Sequence, residues 1–78
     1  MPEARFDSKE TALRDIFLQL KDILVTKLGK EVDIEIMVYT PGEAKKVKTF
    51  ASMSGCRIEI DKLESYYIIH ITGSPCCV

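Results

Sequence analysis

Three thiols, one imidazole and a cluster of lysines are the groups in this 78-residue chain that could react or hold a ligand. Cys76 and Cys77 stand side by side in a closing stretch, GSPCCV, that has a Gly, a Pro and no periodicity. In such a segment they could carry a persulfide on a swinging tail or form half of a soft-metal site. They could equally be idle, because no cation and no helix start adjoins them to favour a thiolate. Cys56 alternates with Ile58 and Ile60 and reads as a small hydrophobe on the core side of a strand. There is no C-x-x-C pair, and His70 has no acidic or sulfur neighbour at ligand spacing, so neither a metal nor another cofactor is expected. His70 reads as a solvent-facing strand residue.

Two further groups point to binding rather than reaction. Lys45, Lys46 and Lys48 fall early in a helix, where positive charge opposes the helix dipole, and that mismatch fits either an anionic partner or a plain solvated face. Met37, Tyr39, Tyr66 and Ile68 fall on strand faces turned away from the helices, an apolar group suited to a protein contact or to dimerisation. No Ser-His-Asp set, glycine-rich phosphate loop or carboxylate pair with a raised pKa is apparent, so the chain does not read as an enzyme.

These residues must be positioned by elements that the sequence spells out. Ala4 and Phe6 alternate with charged residues in a brief opening strand. Asp7, with Glu10 three residues on, reads as a helix cap, so a helix should begin there or within a turn. Leu13, Ile16, Phe17, Leu20, Ile23, Leu24 and Leu28 recur at spacings of three and four, one face of a helix that Gly29 would close. Val32, Ile34, Ile36 and Val38 alternate with Asp33, Glu35, Met37 and Tyr39, which predicts a half-buried strand. Thr40-Pro41-Gly42-Glu43 then writes a helix start: Thr as N-cap, Pro at the first helical position and Glu to complete a capping box. Ala44, Val47, Phe50, Ala51 and Ser54 form its inner stripe, and Gly55 closes it. Two more alternating runs, around Ile58 and Ile60 and around Tyr67, Ile69 and Ile71, are joined by Asp61 to Ser65 in a hairpin. The order is β-α-β-α-β-β, an α+β chain with both helices in one layer and the second sheet face open to water. Residues 1–73 make a single domain, and 74–78 read as a flexible tail.

Composition limits the partners. Hydrophobic residues make up 46% and charged residues 29%, which excludes a disordered chain, and 11 basic against 12 acidic groups leave a net charge of -1, too little for a global field toward nucleic acid or an anionic membrane. No apolar run approaches the roughly 18 residues of a membrane span, and MPEARFDSKE is not a secretory signal, so the chain reads as cytoplasmic with reduced thiols. RNA binding would need a local patch, such as the three lysines combined with Tyr39, Tyr66 and Tyr67.

The run VDIEIMVYTPGEAKKVKTFASMSG, from Val32 to Gly55, together with the finish Tyr-Tyr-Ile-Ile-His-Ile from Tyr66 to Ile71, resembles the TusA/SirA-like family of small sulfur carriers over nearly the whole chain. The resemblance implies a two-layer α/β sandwich with a four-stranded mixed sheet, and sulfur-relay proteins as partners. Members of that family carry persulfide sulfur on a Cys-Pro-x-Pro motif at the start of the first helix. Here that region is Ser8 to Asp15, SKETALRD, without Cys or Pro, and the thiol position falls near Ala12 or Leu13. The expectation is therefore a non-catalytic binding or adaptor protein. The alternatives are a carrier that uses the relocated thiol of Cys76 or Cys77, and an RNA-binding module.

Overall fold

A computed structural model describes residues 2–76. The elements follow as β1 (Ala4–Asp7), α1 (Leu13–Thr26), β2 (Val32–Val38), α2 (Pro41–Ser52), β3 (Arg57–Lys62) and β4 (Tyr67–Gly73). The strands form one mixed sheet in the order β1-β2-β4-β3, in which β1 runs parallel to β2 while β4 lies antiparallel between β2 and β3. Both helices are crossovers between parallel strands, and β4 slots into the gap that the second crossover leaves. The result is an α+β two-layer sandwich.

Strict alternation fixes β2 over the span the sequence predicts: Val32, Ile34, Ile36 and Val38 are buried, and the residues between them are half-buried on the other face. In β4, Ile69 and Ile71 point the same way. Against them pack Ile16, Leu20 and Leu24 of α1 and Ala44, Val47 and Ala51 of α2, in one continuous core. Full burial of a Leu or Ile side chain contributes about 1.5–3 kcal/mol before conformational entropy is set against it, so this core is what holds the helices on the sheet.

The start of α2 is built as its sequence implies. Glu43 N–H donates to Thr40 Oγ1 at 3.2 Å, while the reciprocal half of the box is shifted by one residue: the Glu43 carboxylate accepts from the Tyr39 N–H, at 3.2 Å, instead of from that of Thr40. The start of α1 differs from expectation. Asp7 closes β1 and then caps a turn, its carboxylate accepting the Lys9 N–H at 2.9 Å and its carbonyl accepting from Glu10 and Thr11. The helix begins only at Leu13, behind Ala12, which offers no side-chain cap. Leu28 is also displaced from its expected place: α1 ends at Thr26, and Leu28 is 45% exposed in the turn beyond. Gly29 and Gly55 take positive φ, 79° and 84°, as helix stops. The β3–β4 turn spans Leu63 to Tyr66, closed by Leu63 N–H donating to the Tyr66 carbonyl, so Tyr66 belongs to the turn rather than to a strand.

Residues 74–78 read from sequence as a flexible tail. The described part is seated: Pro75 is fully buried, its carbonyl accepts from Gly29 N–H at 3.1 Å, and Cys76 N–H donates to the Ser54 carbonyl at 2.9 Å. Cys77 and Val78 lie outside the described residues.

Candidate functional site

The residues singled out from the sequence fall into three separate places. Met37 and Ile68 face each other across β2 and β4 on the open side of the sheet, and Tyr39 and Tyr66 extend that group with ring centroids 6.2 Å apart. The Tyr39 hydroxyl donates to Asp7 Oδ1 at 2.9 Å and lies 3.1 Å from Met37 Sδ, while Lys9 Nζ sits 4.3 Å from its ring centre. Desolvation first, then the hydrogen bond and negative charge of Asp7, then the charge of Glu10, raise the Tyr39 pKa above its usual 10.0. All four members of the group are half-buried, so they offer little free apolar area.

Around that group the open face is charged. Register sets Arg5, Glu35, His70 and Glu59 in one row across the four strands, and Asp7, Met37, Ile68 and Asp61 in the next. With Asp33 and Arg57 included, this face carries the carboxylates of Asp7, Asp33, Glu35, Glu59 and Asp61 against the guanidinium groups of Arg5 and Arg57. Arg5 pairs with Glu35 at 3.8 Å, and His70 Nε2 lies 3.2 Å from Asp61 Oδ2, so the histidine has an acidic neighbour after all. A face with this balance repels phosphate.

Lys45, Lys46 and Lys48 lie on the other layer. All three are exposed, and none forms an ion pair among the described residues. Lys45 and Lys46 border a groove of about 570 Å³ between α1 and α2, whose apolar lining is Phe17, Phe50 and Met53. The two phenylalanine rings stack at 5.1 Å, and Met53 is 71% exposed. Of the tyrosines that would have to act with these lysines on RNA, Tyr39 and Tyr66 are thus on the opposite layer, while Tyr67 shares the inward face of β4 with Ile69 and Ile71 and packs against the core. Spacing alone puts Phe17 and Phe50 on the inner stripes and gives Met53 no role. The signal for the groove is that each Phe sits at the edge of its stripe, where two neighbouring helices meet.

The thiols are apart from both surfaces. Cys56 is half-buried and packs on the core; Cys76 is exposed beside Gly55; Cys77 lies outside the described residues. At the start of α1, where the family resemblance would put a thiol, stand Ala12 and Leu13. Among the described residues no group of three His, Cys, Asp or Glu side chains is placed to hold a metal ion, and no helix is long and apolar enough to cross a membrane. Comparison with protein-family models, with curated proteins and with solved structures gave no match.

Proposed function

We propose that this chain is a non-catalytic binding or adaptor protein of the TusA/SirA type, which engages a protein partner of a sulfur relay without carrying sulfur itself. The observation that carries this is the groove between α1 and α2: stacked Phe17 and Phe50 and an exposed Met53 beside Lys45 and Lys46, whose charges are unpaired within the described chain. Its complement is a protein segment with an apolar side chain flanked by carboxylates, because the apolar part would displace poorly held water and the carboxylates would meet the lysines. Ala12 at the start of α1 supports the absence of sulfur transfer, since neither it nor Leu13 can form a persulfide.

The test uses a cysteine desulfurase and cysteine labelled on sulfur. The expected result is a complex that weakens when Lys45→Glu and Lys46→Glu are introduced together, with no label retained on this protein. Stable label on Cys76 or Cys77 would identify a relocated carrier and overturn the non-carrier reading. Binding indifferent to the charge reversal would remove the groove as the docking site.

A further inference from the structure

The sheet ends on one side at β1, four residues long, and on the other at β3, six residues long. The outer edge of β3 therefore presents a row of backbone N–H and C=O groups with no strand beside it among the described residues. Its helix-side surface is incompletely covered as well, since Ile60, which should be inward by its alternation, is 38% exposed.

Charges on an edge strand usually discourage pairing. Here their order favours one partner. Arg57 and Glu59 are exposed on the open face, and neither forms an ion pair or a side-chain hydrogen bond among the described residues, whereas Asp61 is held by His70 at 3.2 Å. From Cys56 to Ile60 the chain reads apolar, positive, apolar, negative, apolar. Laid antiparallel against itself about Ile58, this segment sets Arg57 opposite Glu59 of a second copy and Glu59 opposite its Arg57, while Cys56 meets Ile60 and Ile58 meets Ile58. Facing residues in an antiparallel pair share a sheet side, so both charge pairs fall on the open face and an apolar strip forms over the exposed Ile60.

Other registers lose this match. Centring on Glu59 sets that carboxylate against itself and requires Arg57 to compete with His70 for Asp61. Centring on Ile60 sets Glu59 against Asp61. A slip of one residue turns the side chains to opposite faces. We propose that two copies of this chain pair antiparallel through their β3 edges, with the two-fold axis at Ile58, and so extend the sheet across the dimer. The interface is isologous and closes on itself, leaving β1 at both outer edges. It is independent of the groove and of the sulfur-relay reading.

The experiment is sedimentation equilibrium of the full chain under reducing conditions, from micromolar to about millimolar concentration, because a ladder this short forms a weak dimer. The wild type is expected to pass from monomer to dimer over this range. Arg57→Glu and Glu59→Arg are each expected to raise the dissociation constant by about tenfold or more, since each puts like charges opposite one another twice per dimer. Arg57→Glu combined with Glu59→Arg should restore it. Both positions are exposed, and circular dichroism checks that each variant is folded. A wild type that stays monomeric throughout, single variants that dimerise unchanged, or a double variant that fails to recover would each overturn the proposal.

Discussion

Gly55 offers the sharpest test of how the C-terminal segment is held. Its φ of +84° costs an L-residue about 1–2 kcal/mol. Gly29, at +79° with nothing within 4 Å of an added Cβ, carries that cost alone. At Gly55 an added Cβ would also lie 2.6 Å from Cys76 Sγ. Relief requires either rotating the thiol away, at about 0.5–1.5 kcal/mol if it leaves its rotamer well, or lifting the segment. Lifting it gives up the Cys76-to-Ser54 and Gly29-to-Pro75 hydrogen bonds and the burial of Pro75. Gly55→Ala should therefore cost about 1 kcal/mol more than Gly29→Ala. In a Cys76→Ala background the nearest remaining atoms are 3.8 Å away, an ordinary contact, and the excess should vanish. The assay is urea denaturation of the wild type, both single variants and the double variant, with the coupling energy taken from the cycle. An equal cost of Gly55→Ala in the two backgrounds would refute the seating of Cys76 against Gly55. A seated Cys76 also weighs against the swinging-arm carrier, since the arm would have to undock first.

Leu20 is fully buried, so Leu20→Ala should cost about 2–5 kcal/mol in urea denaturation, while Leu18→Ala, at a position 63% exposed, should stay within about 0.5. Equal losses would mean that α1 is rotated away from the orientation that buries Leu20 and exposes Leu18. Thr40→Ala removes the acceptor for Glu43 N–H and should cost about 0.5–2 kcal/mol, with Thr40→Ser restoring most of it; a Ser variant no better than Ala would show that the cap is not the cause. Tyr39 has a raised folded-state pKa, so the unfolded chain ionises first as pH climbs. Its stabilising contribution is complete below about pH 10 and drains away as pH rises through the higher folded value. The stability gap between wild type and Tyr39→Phe should therefore narrow above about pH 10, and a constant gap would contradict the Asp7–Tyr39 contact.

What the sequence revealed, and what it hid, follows the range of the physics involved. Thr40, Pro41 and Glu43 act within one turn, and the start of α2 falls where they place it. Asp7 and Glu10 look like the same kind of signal, yet Asp7 caps a turn instead, because the chain must first climb from the sheet to the helix layer before α1 can begin. His70 and Asp61 are nine residues apart and meet diagonally across β3 and β4, a relation available only once the turn from Leu63 to Tyr66 sets the register. Pro75 and Cys76 follow no sequence pattern because their order comes from elsewhere, from the backbone of Gly29 and Ser54. The layers are legible too: with both helices on one side of the sheet, Lys45, Lys46 and Lys48 fall on the layer away from the Tyr39 group, whereas the pairing of Phe17 with Phe50 depends on how the two helices meet.

The same distinction bears on the missing thiol. Ala12 stands where a helix dipole would favour a thiolate, which taken alone would make Ala12→Cys a simple way to install the thiol that the resemblance to sulfur carriers implies. The hollow of about 300 Å³ beside the approach to α1, however, is lined by the carboxylates of Asp7, Glu10 and Glu35 with Arg5 as the only cation, and Arg5 is already paired with Glu35. Of these only Glu10 lies within two residues of Ala12, and together with Asp15 in the first turn of α1 it would oppose a thiolate that the dipole favours.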